Sequence, residues 1–167
     1  MKQNIILIGM PGAGKSTIGV LLAKIMGCNF IDSDLVIQSQ QGKLLREIIA
    51  EKGQDGFLKV EEEVNCNLNP LKAVIATGGS AIYGKKAMEH FKKIGIIVYI
   101  KLSCESLQER LGNIVRRGVV LKEGQTFEDL YKERCPLYEQ YADIIIETEN
   151  NTIEGSLDLI AEKILNN

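Results

Sequence analysis

The sequence predicts an α/β fold in three layers, α/β/α, built on a five-stranded parallel sheet with flanking helices. Two observations carry this expectation. Short continuous apolar runs of strand length recur at 4–8, 29–32, 73–77, 96–100 and 143–147. Between them lie longer segments whose apolar residues return every three or four positions, the period of a helix. Strands that are apolar throughout belong to parallel sheets covered on both faces.

The elements follow in order. The run at 4–8 is the first strand, and the residues before it show no small-residue cleavage site, so no leader peptide is expected. Ile18, Leu21, Leu22 and Ile25 predict the apolar face of the next helix. Phe57, Val60, Val64 and Leu68 predict another, and Ile153, Leu157, Ile160 and Ile164 the last, with Asn151 and Glu154 at capping-box spacing. Thr126 and Asp129 show the same spacing ahead of a helix-like run containing Pro136. No repeat or linker interrupts the chain, so residues 1–167 are expected to form a single domain.

Composition bounds the function. With 45% hydrophobic and 25% charged residues, the chain has the balance of an ordinary soluble globule. A formal charge of −2 argues against nucleic acid as the main partner, which demands a basic surface. No apolar run approaches the roughly 20 residues of a membrane span. Cys28, Cys66, Cys104 and Cys135 form no CxxC pair and are expected as free thiols, consistent with the cytoplasm. A monomer acting on a small molecule is the expected state, with no nucleic acid and no membrane as partner. The lone histidine, His90, lies in a Lys-rich stretch and is expected at the surface without a role.

Three unusual segments directly follow strand candidates, where ligands bind in such sheets. Residues 9–16, Gly-Met-Pro-Gly-Ala-Gly-Lys-Ser, match G-x-x-x-x-G-K-[ST] between a strand and a helix. This is the phosphate-binding loop of the P-loop NTPase fold. Its glycines let the backbone of Gly12, Ala13, Gly14, Lys15, Ser16 and Thr17 cradle the phosphates of a nucleoside triphosphate. Lys15 is expected at the β- and γ-phosphates, and Ser16 on Mg²⁺. A plain glycine turn with Ser16 or Thr17 as helix cap is the alternative.

Next come Asp32-Ser33-Asp34. Asp32, ending an apolar strand, is the candidate to hold the metal, because the strand at 73–77 ends without an acid. Asp34, slightly further out, can orient an acceptor hydroxyl and take its proton, or Asp34 or Ser33 can simply cap the following helix. Gly78 and Gly79 permit a substrate to approach the backbone, or form only a tight turn. Arg116 and Arg117, among Gly112, Gly118 and Gly124, predict a mobile lid at about residues 112–124 that brings positive charge onto phosphates. Exposed arginines are the alternative there. Arg134, two residues before Pro136, can turn its planar donor fork to a carboxylate or pair at the surface with Glu133 or Glu139.

Together these segments resemble the shikimate kinase family over nearly the whole chain. The resemblance implies transfer of the γ-phosphoryl group of ATP to the 3-hydroxyl of shikimate, a step towards aromatic amino acids. It implies Asp34 at the substrate hydroxyls, Gly78 and Gly79 along the substrate, and Arg134 on its carboxylate. It also implies Arg117 or Arg116 on the phosphates and Arg110 near the adenine.

Three positions depart from the family pattern. The family has Phe-Arg ahead of a Glu in the helix after the substrate loop, where this chain reads Phe57-Leu58-Lys59-Val60-Glu61. Helical spacing puts Leu58 with Glu61, Glu62 and Asn65, off the core stripe, either exposed or forming an apolar wall of an altered substrate pocket. Ser80 stands at the usual third glycine, and Arg117-Gly118-Val119-Val120 at the lid's Arg-Pro-Leu-Leu. A kinase acting on shikimate is the expectation. The alternatives are a related kinase for another hydroxylated metabolite and a nucleotide-dependent regulatory module.

Overall fold

The computed structural model describes residues 4–112, 119 and 121–165. The expected Arg116 and Arg117, and most of the expected lid, lie outside them. Five strands form one parallel sheet in the order β2-β3-β1-β4-β5: β1 Asn4–Ile8, β2 Asn29–Asp32, β3 Ala73–Ala76, β4 Gly95–Lys101 and β5 Ile144–Glu147. Successive side chains of a strand point to opposite faces, and Ile6, Leu7 and Ile8 are all fully buried, so helices cover the sheet on both sides. Only at the edge strand β5 does burial alternate along the chain.

The helices are α1 Lys15–Met26, α2 Ser33–Gln41, α3 Leu45–Asn67, α4 Lys85–Ile94, α5 Cys104–Leu111, α6 Phe127–Tyr141 and α7 Ile153–Leu165. A short 3-10 turn, Ala81–Tyr83, lies between β3 and α4. Helix α1 packs on α7, whereas α2 and α4 pack on α3. No helix of the described residues is long and apolar enough to cross a membrane.

One expected helix face and one expected cap differ from those observed. In α1 the buried row is Lys15, Ile18, Gly19, Leu22 and Ala23, while Leu21 and Ile25 are exposed. Small residues let this helix approach the sheet closely, so glycine and alanine occupy places that hydrophobicity alone assigns to larger side chains. At the start of α7, Thr152 rather than Asn151 takes the capping position, its Oγ1 accepting from Gly155 N–H at 3.1 Å. The capping box of Thr126 and Asp129 is present at the start of α6. His90 is half-buried, with Nε2 2.7 Å from the Leu68 carbonyl, and is not the plain surface residue expected.

A second, smaller core cluster gathers Ile37, Ile48, Phe57 and Val64 where α2 meets α3. Helix α3 breaks direction at Gly53, whose φ of 70° favours glycine. The chain fills one side of β1 with β3 and β2, then crosses to β4 and β5 on the other. The carboxyl ends of β1, β2 and β3 thus lie beside the point where the winding reverses, and all three unusual segments start there.

Candidate active site

The loop after β1 turns sharply because Gly12 and Gly14 adopt φ of 84° and 92°, where an L side chain is strained. It delivers Lys15 to the first turn of α1. Lys15 is buried, and its Nζ donates to the carbonyls of Gly9 at 2.7 Å and Met10 at 2.9 Å. Burial lowers its pKa to about 8, against the opposing field of Asp34. Gly12, Gly14, Lys15, Ser16 and Thr17 line a cavity of about 450 Å³. Ala13 does not line it: its side chain is buried, and its N–H donates to the Met10 carbonyl at 3.2 Å.

Asp32 decides how the acids after β2 are used. Its Oδ1 accepts from the N–H groups of Asp34 at 3.0 Å and Leu35 at 3.4 Å, so Asp32 caps α2. Its Oδ2 accepts from Ser16 Oγ at 2.7 Å. Capping therefore falls to neither Ser33 nor Asp34, and Asp34 lines the cavity. Burial, with the charge of Asp32, raises the Asp34 pKa to about 6, and Lys15 opposes the rise.

The segment after β3 forms the opposite wall. A Cβ on Gly78 would lie 2.5 Å from Glu61 Oε1 and 2.7 Å from Asp34 Oδ1, so two carboxyl groups crowd this one glycine. A Cβ on Gly79 would lie 2.8 Å from Pro11 Cδ and 3.0 Å from Arg134 Nη1. These glycines are needed for close approach. Ser80 Oγ donates to Glu61 Oε2 at 2.5 Å.

Arg134 comes from α6 and is 1% exposed, so it is no surface ion-pair partner. Its guanidinium carbon lies 5.3 Å from the Tyr83 ring centroid, and its Nε donates to Tyr83 Oη at 3.4 Å. Of the acids weighed as its partners, Glu139 pairs with Lys101 at 3.0 Å and Glu133 accepts from Tyr83. One turn further along α6, Tyr138 donates to the Gly79 carbonyl at 2.5 Å. Arg134, Arg110, Gly78 and Gly79 all line the same cavity as Lys15 and Asp34. Backbone of the glycine loop, a lysine, a carboxylate of raised pKa and an arginine thus line one space, an arrangement suited to phosphoryl transfer to a hydroxyl.

Residues 11–166 match the family model described as shikimate kinase. The chain belongs to the shikimate kinase family. A shikimate kinase of Thiobacillus denitrificans is 35% identical, the match covering 98% of this chain and 91% of the relative. A solved structure of the shikimate kinase of Acinetobacter baumannii in complex with shikimate aligns with a TM-score of 0.90 at 36% identity, covering 98% of this chain and 93% of the other. That of Aquifex aeolicus aligns with a TM-score of 0.84 at 29% identity, covering 97% and 96%.

Within this family frame, two expected positions stand apart. Arg117 lies outside the described residues. Leu58 is half-buried against the second core cluster and does not line the cavity, so it is neither exposed nor a wall of the pocket. The reason lies in the face assigned to it. Glu61 and Asn65, which share that face, are 1% and 0% exposed, so those two polar side chains are turned inward, while Lys59 and Glu63 face solvent.

Glu61 is the residue that sequence reasoning did not pick out. It stands four positions after Phe57 and three before Val64, inside the buried stripe, and a carboxylate at a core position is the signal that could have found it. Burial raises its pKa to about 7; Asp34 adds to the rise, while Ser80, Arg134 and Lys15 oppose it. Its Oε1 and both polar atoms of the Asn65 side chain are the buried side-chain atoms without a hydrogen-bond partner among the described residues.

Proposed function

We propose that the chain transfers the γ-phosphoryl group of ATP to the 3-hydroxyl of shikimate, giving shikimate 3-phosphate and ADP. The observation that carries this reading is the placement of Asp34 and Arg134 in one cavity with Lys15. A hydroxyl beside Asp34 can be oriented for in-line attack, and its proton passes to the Asp34 carboxylate. The raised pKa of about 6 makes that carboxylate a stronger base while leaving it ionised at neutral pH. Lys15 offsets charge on the moving phosphoryl group, and the backbone from Gly12 to Thr17 holds the other phosphates. Arg134 holds the acceptor's carboxylate with its donor fork. Arg110, exposed at the end of α5 and lining the cavity, would contact the adenine.

Ser16 and Asp32 are the residues that would hold Mg²⁺, and they fit it. They offer hard oxygen donors, already joined at 2.7 Å, and a single carboxylate with phosphates is a usual magnesium environment. Bound there, the ion supplies charge neutralisation at the β- and γ-phosphates. The enzyme would work in the cytoplasm, where ATP is available, as a monomer.

The test is ADP release with shikimate against a panel of polyols and hydroxy acids. Shikimate should stimulate release above every other acceptor. Absence of stimulation at millimolar shikimate, with another acceptor active, would overturn the assignment.

A further inference from the structure

We propose that Tyr83 and Glu133 are positioning residues that fix the Arg134 guanidinium for the acceptor's carboxylate. The inference rests on the assignment of Arg134 to that carboxylate. An arginine side chain has several rotatable bonds, and ordering it only when substrate arrives spends binding energy on lost rotamer freedom. In this structure the ordering is built in beforehand.

Tyr83 ends the 3-10 turn after β3, and Glu133 immediately precedes Arg134 on α6. Adjacent helix residues point about 100° apart, so Glu133 is not on the Arg134 side of the helix. Tyr83 bridges them. Its hydroxyl donates to Glu133 Oε1 and accepts from Arg134 Nε at 3.4 Å, while its ring lies 5.3 Å from the guanidinium carbon. Because a carboxylate only accepts, the direction of the chain is set: arginine to tyrosine to glutamate. Glu133 is itself held, with Oε2 accepting from Gln125 Nε2 at 3.1 Å and lying 3.6 Å from Lys122 Nζ. The Tyr83 hydrogen bond lowers the Glu133 pKa, and burial raises that of Tyr83, so one stays ionised and the other protonated through the working range. Engaging Nε orients the rest of the planar fork, whose Nη1 is so near Gly79 that a Cβ there would lie 3.0 Å from it, and both residues line the cavity.

Steady-state kinetics on the full chain test this with shikimate and with its methyl ester, which lacks the carboxylate charge. Tyr83→Phe and Glu133→Ala should each raise KM for shikimate about three- to tenfold, the worth of one orienting hydrogen bond. Turnover and KM for ATP should stay within about twofold, and KM for the ester should not move. Glu133→Gln keeps an acceptor for Tyr83 and should restore most of the affinity. The double variant should bind shikimate no worse than Tyr83→Phe alone, because Glu133 acts through Tyr83. An unchanged KM for shikimate in Tyr83→Phe overturns the proposal, as do equal losses on acid and ester. Arg134→Met separates the two levels. If it leaves KM for shikimate unchanged, the carboxylate assignment itself falls; if it raises KM while Tyr83→Phe does not, only the positioning role falls.

Discussion

Replacing Glu61 by glutamine should stabilise the protein, and by an amount that depends on pH. Glu61 is buried, and its pKa rises from 4.5 to about 7. A carboxyl with a raised folded-state pKa destabilises the fold as pH increases. Below 4.5 both states are protonated and there is no penalty. Between 4.5 and 7 the unfolded chain has released the proton and the folded one has not, so stability falls with rising pH. Above 7 the loss is complete, about 3 kcal/mol for a rise of this size. Glutamine has no proton to release and carries no such penalty. It can keep the bond from Ser80, and any packing cost of its amide is the same at every pH, so it drops out of the comparison. Urea unfolding of both proteins at pH 5 and pH 8 should show the variant gaining about 2–3 kcal/mol more at the higher pH. In melting temperature, a difference of that size is about 4–12 °C for a chain of this length. A stability difference that does not change between pH 5 and pH 8 would refute the reasoning, because it would mean Glu61 titrates alike in both states.

Two other expectations concern the cavity. With Asp34 acting as base and its pKa at about 6, kcat/KM for shikimate should fall about tenfold from pH 7 to pH 5. Asp34→Asn should abolish that limb, and a flat wild-type profile would remove the base role. Gly79→Ala would press a methyl group within 2.8 Å of Pro11 and 3.0 Å of Arg134, tying the nucleotide loop to the acceptor side. It should raise KM for both substrates and cost about 1–3 kcal/mol of stability, read by kinetics and melting; a change in one KM alone would contradict the contact.

The sheet was legible because buried parallel strands write themselves as unbroken apolar runs, and all five appear within a residue or so of the expected bounds. The glycine loop was legible because its pattern is local: Gly12, Gly14, Lys15, Ser16 and Thr17, which line the cavity, fall within nine consecutive residues. The acceptor side was less so, because its contacts join distant segments. Asp32 and Asp34 are two acids in one short stretch, and only the capping bonds to Asp34 and Leu35 show which of them turns to the cavity. Spacing alone groups Glu61 with Leu58, Glu62 and Asn65 off the core stripe, since its partner Ser80 comes from another element. Tyr83 and Glu133 lie 50 residues apart in the chain, beyond the reach of any spacing rule.

Leu58 shows how such long-range terms change the meaning of a substitution. It stands three residues before Glu61 on α3, a spacing at which helix side chains meet. A cation there, as in the family pattern, would favour the ionised form of Glu61 and pull its pKa down. Leucine cannot, and Glu61 keeps its proton to about pH 7. An arginine beside an ionised glutamate contributes no net charge to the pocket; a leucine beside a protonated glutamic acid also contributes none. If the acceptor's carboxylate takes a donor from this position, as the family resemblance implies, its absence should cost about 1.5–3 kcal/mol of binding. The uncompensated negative charge that would have added to that loss is not present below pH 7. On the proposed assignment, Leu58 lacks a donor for an anionic acceptor but leaves no uncompensated negative charge beside it below pH 7.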